Sequence, residues 1–270
     1  MKKQDVILDQ YYTDEDLADK LSDYIKNQDW FNAIDRIIEP SAGTGSFSRN
    51  FENCLAYDLD PKIEGIIHGD FLKQPLDYVP NTLSIGNPPF GKNGGLAMSF
   101  VKRCCEISDY VAFILPSSFS KDSFKNRVPL THSLIHEEFI DEDFFFLADR
   151  SEYSVKCVFQ VWKRGPKREN ASTLKECDDF YFSNIEESDF AIRRVGWNAG
   201  RISEDVNSVS RSSHYFIKVK SKNIKHVIEK LNSIEWTTIS DLTVGPRSIG
   251  MSEIIKLYLG DTFENNKTLF

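Results

Sequence analysis

The sequence predicts an α/β fold with a mostly parallel sheet and an antiparallel edge hairpin, followed by a small C-terminal domain. Strand-like and helix-like segments alternate as far as Leu115, which is typical of a parallel sheet covered by helices. Two further strand-like segments then follow each other with no helical pattern between them, which suits an antiparallel hairpin. The length of 270 residues allows one large domain or two small ones.

The first predicted element is an amphipathic helix over residues 14–28. Leu17 and Leu21 fall on one face of this helix. Thr13 suits the N-cap position, with Asp16 as a weak capping-box partner. We therefore expect the helix to begin directly after Thr13.

Five short apolar segments are predicted as the strands of the parallel sheet. They are Arg36–Glu39, Cys54–Asp58, Gly65–His68, Thr82–Gly86 and Tyr110–Leu115. Helices are predicted over Ser46–Phe51 and Leu96–Ile107, and the hairpin over Leu134–Ile140 and Val155–Trp162. Cys54–Asp58 and Gly65–His68 are expected to be buried strands, since both are short and apolar.

A polar segment over Lys163–Asn170, broken by glycine and proline, predicts a linker. Beyond it a strand over Tyr215–Val219 and a helix over Lys222–Leu231 are expected. These features divide the chain into domains 1–164 and 165–270.

The net charge of −8 argues, by itself, against binding to nucleic acid. The charge is unevenly distributed, because residues 1–150 hold 15 basic and 25 acidic residues, whereas residues 193–230 hold nine basic and three acidic ones. The alternative is that this basic segment is a solvated surface. If it binds nucleic acid, the residues expected to contact the phosphates are Arg193, Arg194, Arg201, Arg211, Lys218, Lys220, Lys222 and Lys225.

Five cysteines without a C-x-x-C pair argue against a disulfide framework and a zinc ribbon, so no metal is expected. Residues 1–9 are charged and lack an apolar segment, and no run approaches the length of a membrane span. We therefore expect a cytoplasmic protein with no membrane partner.

The first motif, Glu39-Pro40-Ser41-Ala42-Gly43-Thr44-Gly45-Ser46-Phe47, follows a strand and opens a helix. Two glycines permit close approach of a ligand to the backbone. The motif lacks the lysine of a phosphate-binding P-loop, and Ser48 stands where a dinucleotide site has its third glycine. Glu39 instead suits a cationic ligand, such as a sulfonium with an amino-acid tail. The alternative is an ordinary tight turn.

Two acidic residues follow the next two strands. Asp58 is placed to accept the hydroxyls of a ribose, as in other nucleoside-binding α/β folds. Asp70 and Phe71 are placed to hold an adenine, through its amine and its ring face. Each has a structural alternative, namely a turn carboxylate or a packed side chain.

The most specific motif is Asn87-Pro88-Pro89-Phe90, directly after a strand. Two consecutive prolines fix φ and remove two donors. The Asn87 side-chain oxygen and the Pro88 carbonyl can then accept both hydrogens of one planar amine, and Phe90 offers a face for stacking. A purely structural role explains a Pro-Pro turn but not the residues on either side of it.

Together these motifs resemble the S-adenosylmethionine-dependent N6-adenine DNA methyltransferases, in the gamma-type order. The segment Asp9-Gln10-Tyr11-Tyr12-Thr13 resembles the N-terminal cofactor motif of that family, and the resemblance covers roughly residues 9–164. It implies a Rossmann-like methyltransferase sheet, S-adenosylmethionine as cofactor, and double-stranded DNA with an adenine-containing site as partner. It also implies that residues 165–270 form a target-recognition domain. A cognate restriction enzyme is compatible with the family.

The resemblance assigns cofactor contacts to Tyr12, Thr13, Glu39, Pro40, Ala42, Gly43, Gly45, Asp58, Leu59, Asp70, Phe71 and Asn87. It assigns the flipped target base and its chemistry to Asn87, Pro88, Pro89 and Phe90. The family places a further aromatic residue against the other face of the base, and both Phe159 and Trp162 are candidates for it.

Three other functions remain open at this stage. An RNA N6-adenine methyltransferase uses the same tetrad on an unpaired base. Protein glutamine-N5 methyltransferases also use Asn-Pro-Pro, usually with tyrosine in the fourth place and an N-terminal extra domain. A non-catalytic binding subunit with the same fold is the third alternative.

Overall fold

A seven-stranded sheet lies at the centre of the first of two compact units, which follow one another in the chain and divide between Asn170 and Ala171. The computed structural model describes residues 12–140, 145–146, 156–171, 173–221, 223–243 and 246–261. Of residues 12, 145 and 146 it describes only the backbone.

The strands of the first unit are β1 (Tyr12–Thr13), β2 (Arg36–Glu39), β3 (Leu55–Asp58), β4 (Ile67–His68), β5 (Thr82–Gly86), β6 (Tyr110–Pro116), β7 (His132–Ile140), β8 (Phe145–Phe146) and β9 (Cys157–Arg164). Its α-helices are α1 (Glu15–Lys26), α2 (Gly95–Ile107) and α3 (Asp122–Lys125). Short 3-10 turns cover Phe31–Ala33, Ser48–Asn50, Phe71–Lys73, Lys92–Gly94 and Ser117–Ser120.

The order of the strands confirms the predicted Rossmann-like α/β sheet. It runs β4-β3-β2-β5-β6-β9-β7, and the pairs from β4 to β6 are all parallel. β9 lies antiparallel between β6 and β7, which is the predicted hairpin. β1 and β8 form a separate antiparallel pair. The chain turns from one half of the sheet to the other between β2 and β5, so their carboxyl ends border a natural crevice.

The core of the first unit lies around the two central strands. Every residue of β5 and β6 is buried, as expected for parallel strands covered on both faces. α1 contributes Leu17, Leu21 and Ile25 to this core, and α2 contributes Phe100 and Val101. Removing apolar area of this kind from water stabilises the fold by about 25 cal/mol per Å².

The N-cap of α1 differs from the prediction. Asp14 caps the helix, because its Oδ1 accepts hydrogen bonds from the backbone N–H groups of Asp16 at 3.0 Å and Leu17 at 3.4 Å. The assignment of Thr13 as N-cap was therefore wrong. Thr13 belongs to β1, and its hydroxyl is engaged elsewhere.

Two other predicted elements were also partly wrong. The predicted helix over residues 46–51 is a single 3-10 turn, Ser48–Asn50. β4 was expected to be buried, but both of its residues are exposed, because it is the edge strand of the sheet. Ile67 on this strand is 43% exposed.

The second unit has its own antiparallel sheet. Its strands are β10 (Phe180–Ser183), β11 (Phe190–Arg193), β12 (Ile202–Ser203) and β13 (His214–Val219), in the order β10-β13-β11-β12. Its helices are α4 (Ile224–Asn232), α5 (Thr237–Ser240) and α6 (Met251–Leu259). The predicted strand and helix of this region correspond to β13 and α4. Phe180, Ile217, Leu231 and Tyr258 are buried within this unit.

Arg168 explains why the first unit extends beyond the predicted boundary at residue 164. Its Nε donates to the carbonyl of His132 at 2.7 Å, and its Nη2 donates to the carbonyls of Lys125 at 2.7 Å and Val128 at 3.0 Å. The segment that composition suggested as a free linker is thus bound to the first unit. Its first two residues, Lys163 and Arg164, belong to β9.

All five cysteines are free thiols. No helix in the described ranges is both long enough and apolar enough to cross a membrane. Across those same ranges no group of acidic, histidine and cysteine side chains is arranged to hold a metal ion.

Candidate functional site

A cleft opens at the carboxyl ends of β2 and β5, at the crevice that the strand order creates. About 850 Å³ of space that no protein atom fills lies within it, open solvent included. Its lining residues are Thr13, Glu39, Pro40, Ser41, Ala42, Gly43, Thr44, Ser46, Phe47, Asp58, Leu59, Gly69, Asp70, Phe71, Asn87, Pro88, Pro89 and Phe100.

Asn87 directly follows β5 and is held from two sides. Its Nδ2 donates a hydrogen bond to the Thr13 hydroxyl at 3.0 Å, and its backbone carbonyl accepts one from the Ser41 hydroxyl at 3.2 Å. Its Oδ1 is buried and accepts no hydrogen bond from any described residue. A buried oxygen without a donor costs about 1–3 kcal/mol, so this atom is poised to accept a hydrogen bond from a ligand.

Asp58 ties the glycine loop to the end of β3. Its Oδ2 accepts from the Gly43 backbone N–H at 2.7 Å, and its Oδ1 accepts from the Asp60 N–H at 2.7 Å. The Ala42 N–H also donates to the Tyr57 carbonyl at 2.9 Å. Gly43 has a φ of 53°, a left-handed conformation that favours glycine. The loop is therefore preformed by contacts with β3.

Glu39 lies at the end of β2 and is only 2% exposed. Its Oε2 accepts a hydrogen bond from the Ser48 N–H at 2.7 Å. Burial raises the pKa of Glu39 to about 8, despite that hydrogen bond, and the nearby Asp58 carboxylate adds to the increase. A cation bound in the cleft would favour the ionised form and lower this pKa again, so the site fits a positively charged ligand.

Aromatic rings form one wall of the cleft. Phe71 and Phe100 stack with centroids 6.0 Å apart, and Tyr57 packs against Phe71 at 5.5 Å. Asp70 caps the turn that carries Phe71, with its Oδ1 accepting from the Leu72 N–H at 3.1 Å. This wall provides the apolar surface that a planar heterocycle requires.

Most residues predicted to bind the cofactor line this cleft. They are Thr13, Glu39, Pro40, Ala42, Gly43, Asp58, Leu59, Asp70, Phe71 and Asn87. Gly45 lies within the loop but not on the lining, and the Tyr12 side chain lies outside the described residues. The lining also includes Ser41, Thr44, Ser46, Phe47, Gly69 and Phe100, which the sequence analysis did not assign. Gly69 directly precedes Asp70, and Phe100 lies far from every motif. Helical periodicity placed Phe100 on the apolar face of its predicted helix but did not predict that it lines the cleft.

Pro88 and Pro89 line the cleft, whereas Phe90 does not. Phe90 is 3% exposed and belongs to the apolar core of the first unit. Its carbonyl accepts from the N–H groups of Leu96 and Ala97, both at 3.2 Å, which ties it to the start of α2. In this conformation the ring gives a base no exposed face for stacking.

Phe159 and Trp162 are fully buried in β9, and neither lines the cleft. The Phe159 ring packs edge-on against Tyr24 at 6.4 Å. The Trp162 indole N–H donates to Gln160 Oε1 at 3.0 Å. From these positions neither ring offers a base an exposed face, which contradicts the predicted stacking role of both residues.

The basic residues predicted to contact phosphates fall into two groups. Four are paired with acids: Arg211 with Glu186, Lys218 with Asp189, Lys220 with Glu176, and Lys225 with Glu229. Arg193, Arg194 and Arg201 form no ion pair with any residue that the structure describes. Lys222 lies outside the described residues. Among the described residues predicted to contact phosphates, Arg193, Arg194 and Arg201 are therefore the ones whose positive charge is not neutralised by an ion pair.

No protein-family model matches this chain, and no curated protein matches it. Solved structures do show similarity. The chain is similar to a proposed RNA methyltransferase from Pyrococcus horikoshii, with 17% identity and a TM-score of 0.48 over 59% of this chain and 89% of that one. It is also similar to the M protein of the type I restriction enzyme EcoKI, with 14% identity and a TM-score of 0.44 over 64% of this chain and 48% of that one. A third similar structure is a type I restriction-modification methyltransferase subunit from Streptococcus thermophilus. Its sequence identity to this chain is 11%, and the TM-score is 0.41 over 96% of this chain and 59% of that one. These likenesses concern the α/β fold and decide nothing about activity.

Proposed function

We propose that this protein transfers a methyl group from S-adenosylmethionine to the N6 amino group of adenine in DNA. The observation that carries the proposal is the buried Asn87 Oδ1, which has no donor among the described residues and belongs to a residue that lines the cleft together with Pro88. An amino group can supply the hydrogen bond that this acceptor lacks. The resemblance of the motifs to N6-adenine methyltransferases supports the choice of adenine.

The lining of the cleft suits S-adenosylmethionine in charge and in its apolar wall. The cofactor is positively charged at its sulfonium and its ammonium group, and Glu39 is a buried carboxyl group with no cation beside it among the described residues, so a bound cation would favour its ionised form. Asp58 would face the ribose, and the wall formed by Phe71 and Phe100 would face the adenine ring. When bound, the cofactor supplies the electrophilic methyl group.

Asn87 would make the amine a better nucleophile by accepting a hydrogen bond from it. The lone pair of an aromatic amine is delocalised into the ring, which makes the nitrogen a weak nucleophile. Acceptors at Asn87 Oδ1 and the Pro88 carbonyl would hold both N–H hydrogens and direct the lone pair away from them. Positive charge develops on the nitrogen during transfer, so these acceptors bind the transition state more tightly than the ground state.

A base in duplex DNA must be flipped out before it reaches Asn87, at a cost of a few kcal/mol. Because Phe90 is buried, we assign it the role of fixing the tetrad against α2 through its carbonyl. The target base is then held by Asn87 and Pro88, through hydrogen bonds to its amino group. The three arginines without acidic partners support a polyanionic substrate, which favours a nucleic acid over a protein.

The test is to incubate the full chain with labelled S-adenosylmethionine and, separately, unmethylated duplex DNA, RNA and protein extract, and then to identify the labelled residue. We expect N6-methyladenine in DNA. Asn87→Ala should abolish transfer and retain cofactor binding, whereas Lys102→Ala, on the exposed surface of α2, should change neither. Label in RNA or in glutamine would reassign the substrate. Wild-type transfer by Asn87→Ala would sink the mechanism.

A further inference from the structure

Among the described residues of the second unit, Trp197 is the most exposed large apolar side chain. Trp197 is 80% exposed, although the other three tryptophans are packed against neighbouring residues. The guanidinium of Arg247 lies over the Trp197 ring, 4.1 Å from its centroid. Because the residue is four-fifths exposed, the ring face opposite Arg247 is open to solvent.

The loop that carries Trp197 is held firmly at both ends. Gly196 and Gly200 have φ values of 88° and 96°, which a side chain would strain. The Gly196 N–H donates to the Arg247 carbonyl at 2.8 Å, and the Gly200 N–H donates to the Arg193 carbonyl at 2.7 Å. A Cβ at Gly200 would lie 2.2 Å from the ring of Trp236, so the loop packs closely on that ring. The exposed indole is thus preorganised by its loop.

Asp241 orients the cation beneath the indole. Its Oδ2 accepts from Arg247 Nη2 at 2.9 Å, and its Oδ1 contacts Arg247 Nε. Two contacts of this kind hold the guanidinium in one plane. Arg247 therefore serves as a fixed support for one face of Trp197, by a cation–π contact.

Positive charge without an acidic partner surrounds this loop. Arg193 and Arg194 precede Trp197, and Arg201 follows it. None of the three is ion-paired within the described part of the chain, and the Arg193 N–H donates to the Arg201 carbonyl at 2.8 Å, which keeps the two backbones adjacent. An exposed aromatic ring flanked by arginines matches the two contacts that a polynucleotide offers, a base face and its phosphates.

We propose that Trp197 stacks on an unpaired base of DNA while Arg193, Arg194 and Arg201 contact the neighbouring phosphates. This inference rests on the proposed function, because it names the surface by which the second unit holds the substrate. It is nevertheless tested by binding alone, without cofactor and without methyl transfer.

The experiment measures the affinity of the full chain for a fluorescein-labelled single strand of DNA of mixed sequence, and for inorganic polyphosphate as a polyanion without bases. Trp197→Ala should weaken binding to DNA about 10- to 100-fold and leave binding to polyphosphate unchanged. Trp197→Phe, which keeps a ring, should recover most of the loss. Arg201→Ala should weaken binding to both probes and reduce the salt slope for DNA by about one. Lys175→Ala, an exposed charge elsewhere in the unit, is the matched control.

Wild-type DNA affinity in Trp197→Ala would overturn the proposal. An equal loss for DNA and polyphosphate would also overturn it, because the ring would then act only through the charges around it. If DNA stacks on Trp197 but no substrate is methylated, the proposed function fails and this surface stands. If the protein methylates DNA but its affinity for DNA does not depend on Trp197, the proposed function stands and the proposal for Trp197 fails.

Discussion

The Asn87 amide nitrogen donates its hydrogen bond to the Thr13 hydroxyl, 3.0 Å away and 74 positions earlier in the chain. This contact engages the nitrogen end of the amide. The oxygen end is left without a hydrogen-bond donor among the described residues, and we expect it to be the atom that accepts from a ligand. β1 therefore contributes to the site although it lies outside the seven-stranded sheet.

Thr13→Val should lower the rate of methyl transfer about 100-fold, since the isosteric side chain no longer accepts the Asn87 amide and the amide is free to rotate. The effect should fall on kcat, with a smaller change in KM for DNA, and Thr13→Ser should restore the rate because it keeps the hydroxyl. Steady-state kinetics of the three proteins checks this. A loss that Thr13→Ser does not repair would show that the methyl group, rather than the hydrogen bond, is what the site requires.

Glu39 should make cofactor-free stability depend on pH. The folded-state pKa of about 8 exceeds the ordinary value of 4.5, so the folded protein binds the proton more tightly than the unfolded chain. This stabilisation is complete below about pH 4.5 and is lost as the pH rises through 8. Melting temperatures of Glu39→Gln should lack this decline, whereas a parallel decline in both proteins would assign it to other groups.

The same carboxyl should couple cofactor binding to proton release. A bound cation favours ionised Glu39, so the affinity for S-adenosylmethionine should rise with pH up to about 8, with proton release at neutral pH. Calorimetry in buffers of different ionisation enthalpy measures that release. Glu39→Gln should bind more weakly and release no proton from this position, and unchanged proton release in the variant would contradict the assignment.

Gly91 and Gly95 form a matched pair at the start of α2. Gly91 has a φ of 66°, and a Cβ there would lie 2.6 Å from the Leu96 Cβ, whereas a Cβ on Gly95 would meet no atom within 4 Å. We expect Gly91→Ala to destabilise the fold by about 2 kcal/mol or more and to displace the tetrad. Gly95→Ala should stabilise it by about 0.4–1 kcal/mol. Urea unfolding with a methylation assay checks both, and equal effects would contradict this geometry.

Trp162 should prove to be a structural residue. Trp162→Phe removes the indole N–H that Gln160 accepts and leaves a cavity in the core, at a combined cost of about 2–4 kcal/mol. Denaturant midpoints should fall accordingly, and DNA affinity should stay unchanged where the protein remains folded. Weakened DNA binding with normal stability would return Trp162 to the list of base contacts.

The parallel sheet was predictable because apolar strands and helices alternate in the sequence and because parallel strands bring their carboxyl ends together. This reasoning predicted a shared site for Glu39, Asp58, Asp70 and Asn87, and all four line one cleft. The contact of Asn87 with Thr13 was not predictable, because no spacing rule relates β1 to β5.

The aromatic and basic residues predicted to contact DNA show what a sequence pattern cannot predict, namely which distant residues pack against them or pair with them. Phe159 lies on β9, and its ring is buried on a face of the sheet where Tyr24 of α1 packs against it. Lys218 and Lys220 look like free charges until β13 brings them to Asp189 and Glu176. In each case the decisive neighbour is distant in sequence.

The position of β9 sets the order in which this sheet can be completed. β9 is the last of the seven strands in the chain, yet it fills an interior place in the sheet. Until Arg164 has left the ribosome, β6 exposes an apolar, unpaired edge, which is a template for association with other chains. Nascent chains that stall after β6 has left the ribosome, but before β9 has left it, should therefore be the species most dependent on chaperones.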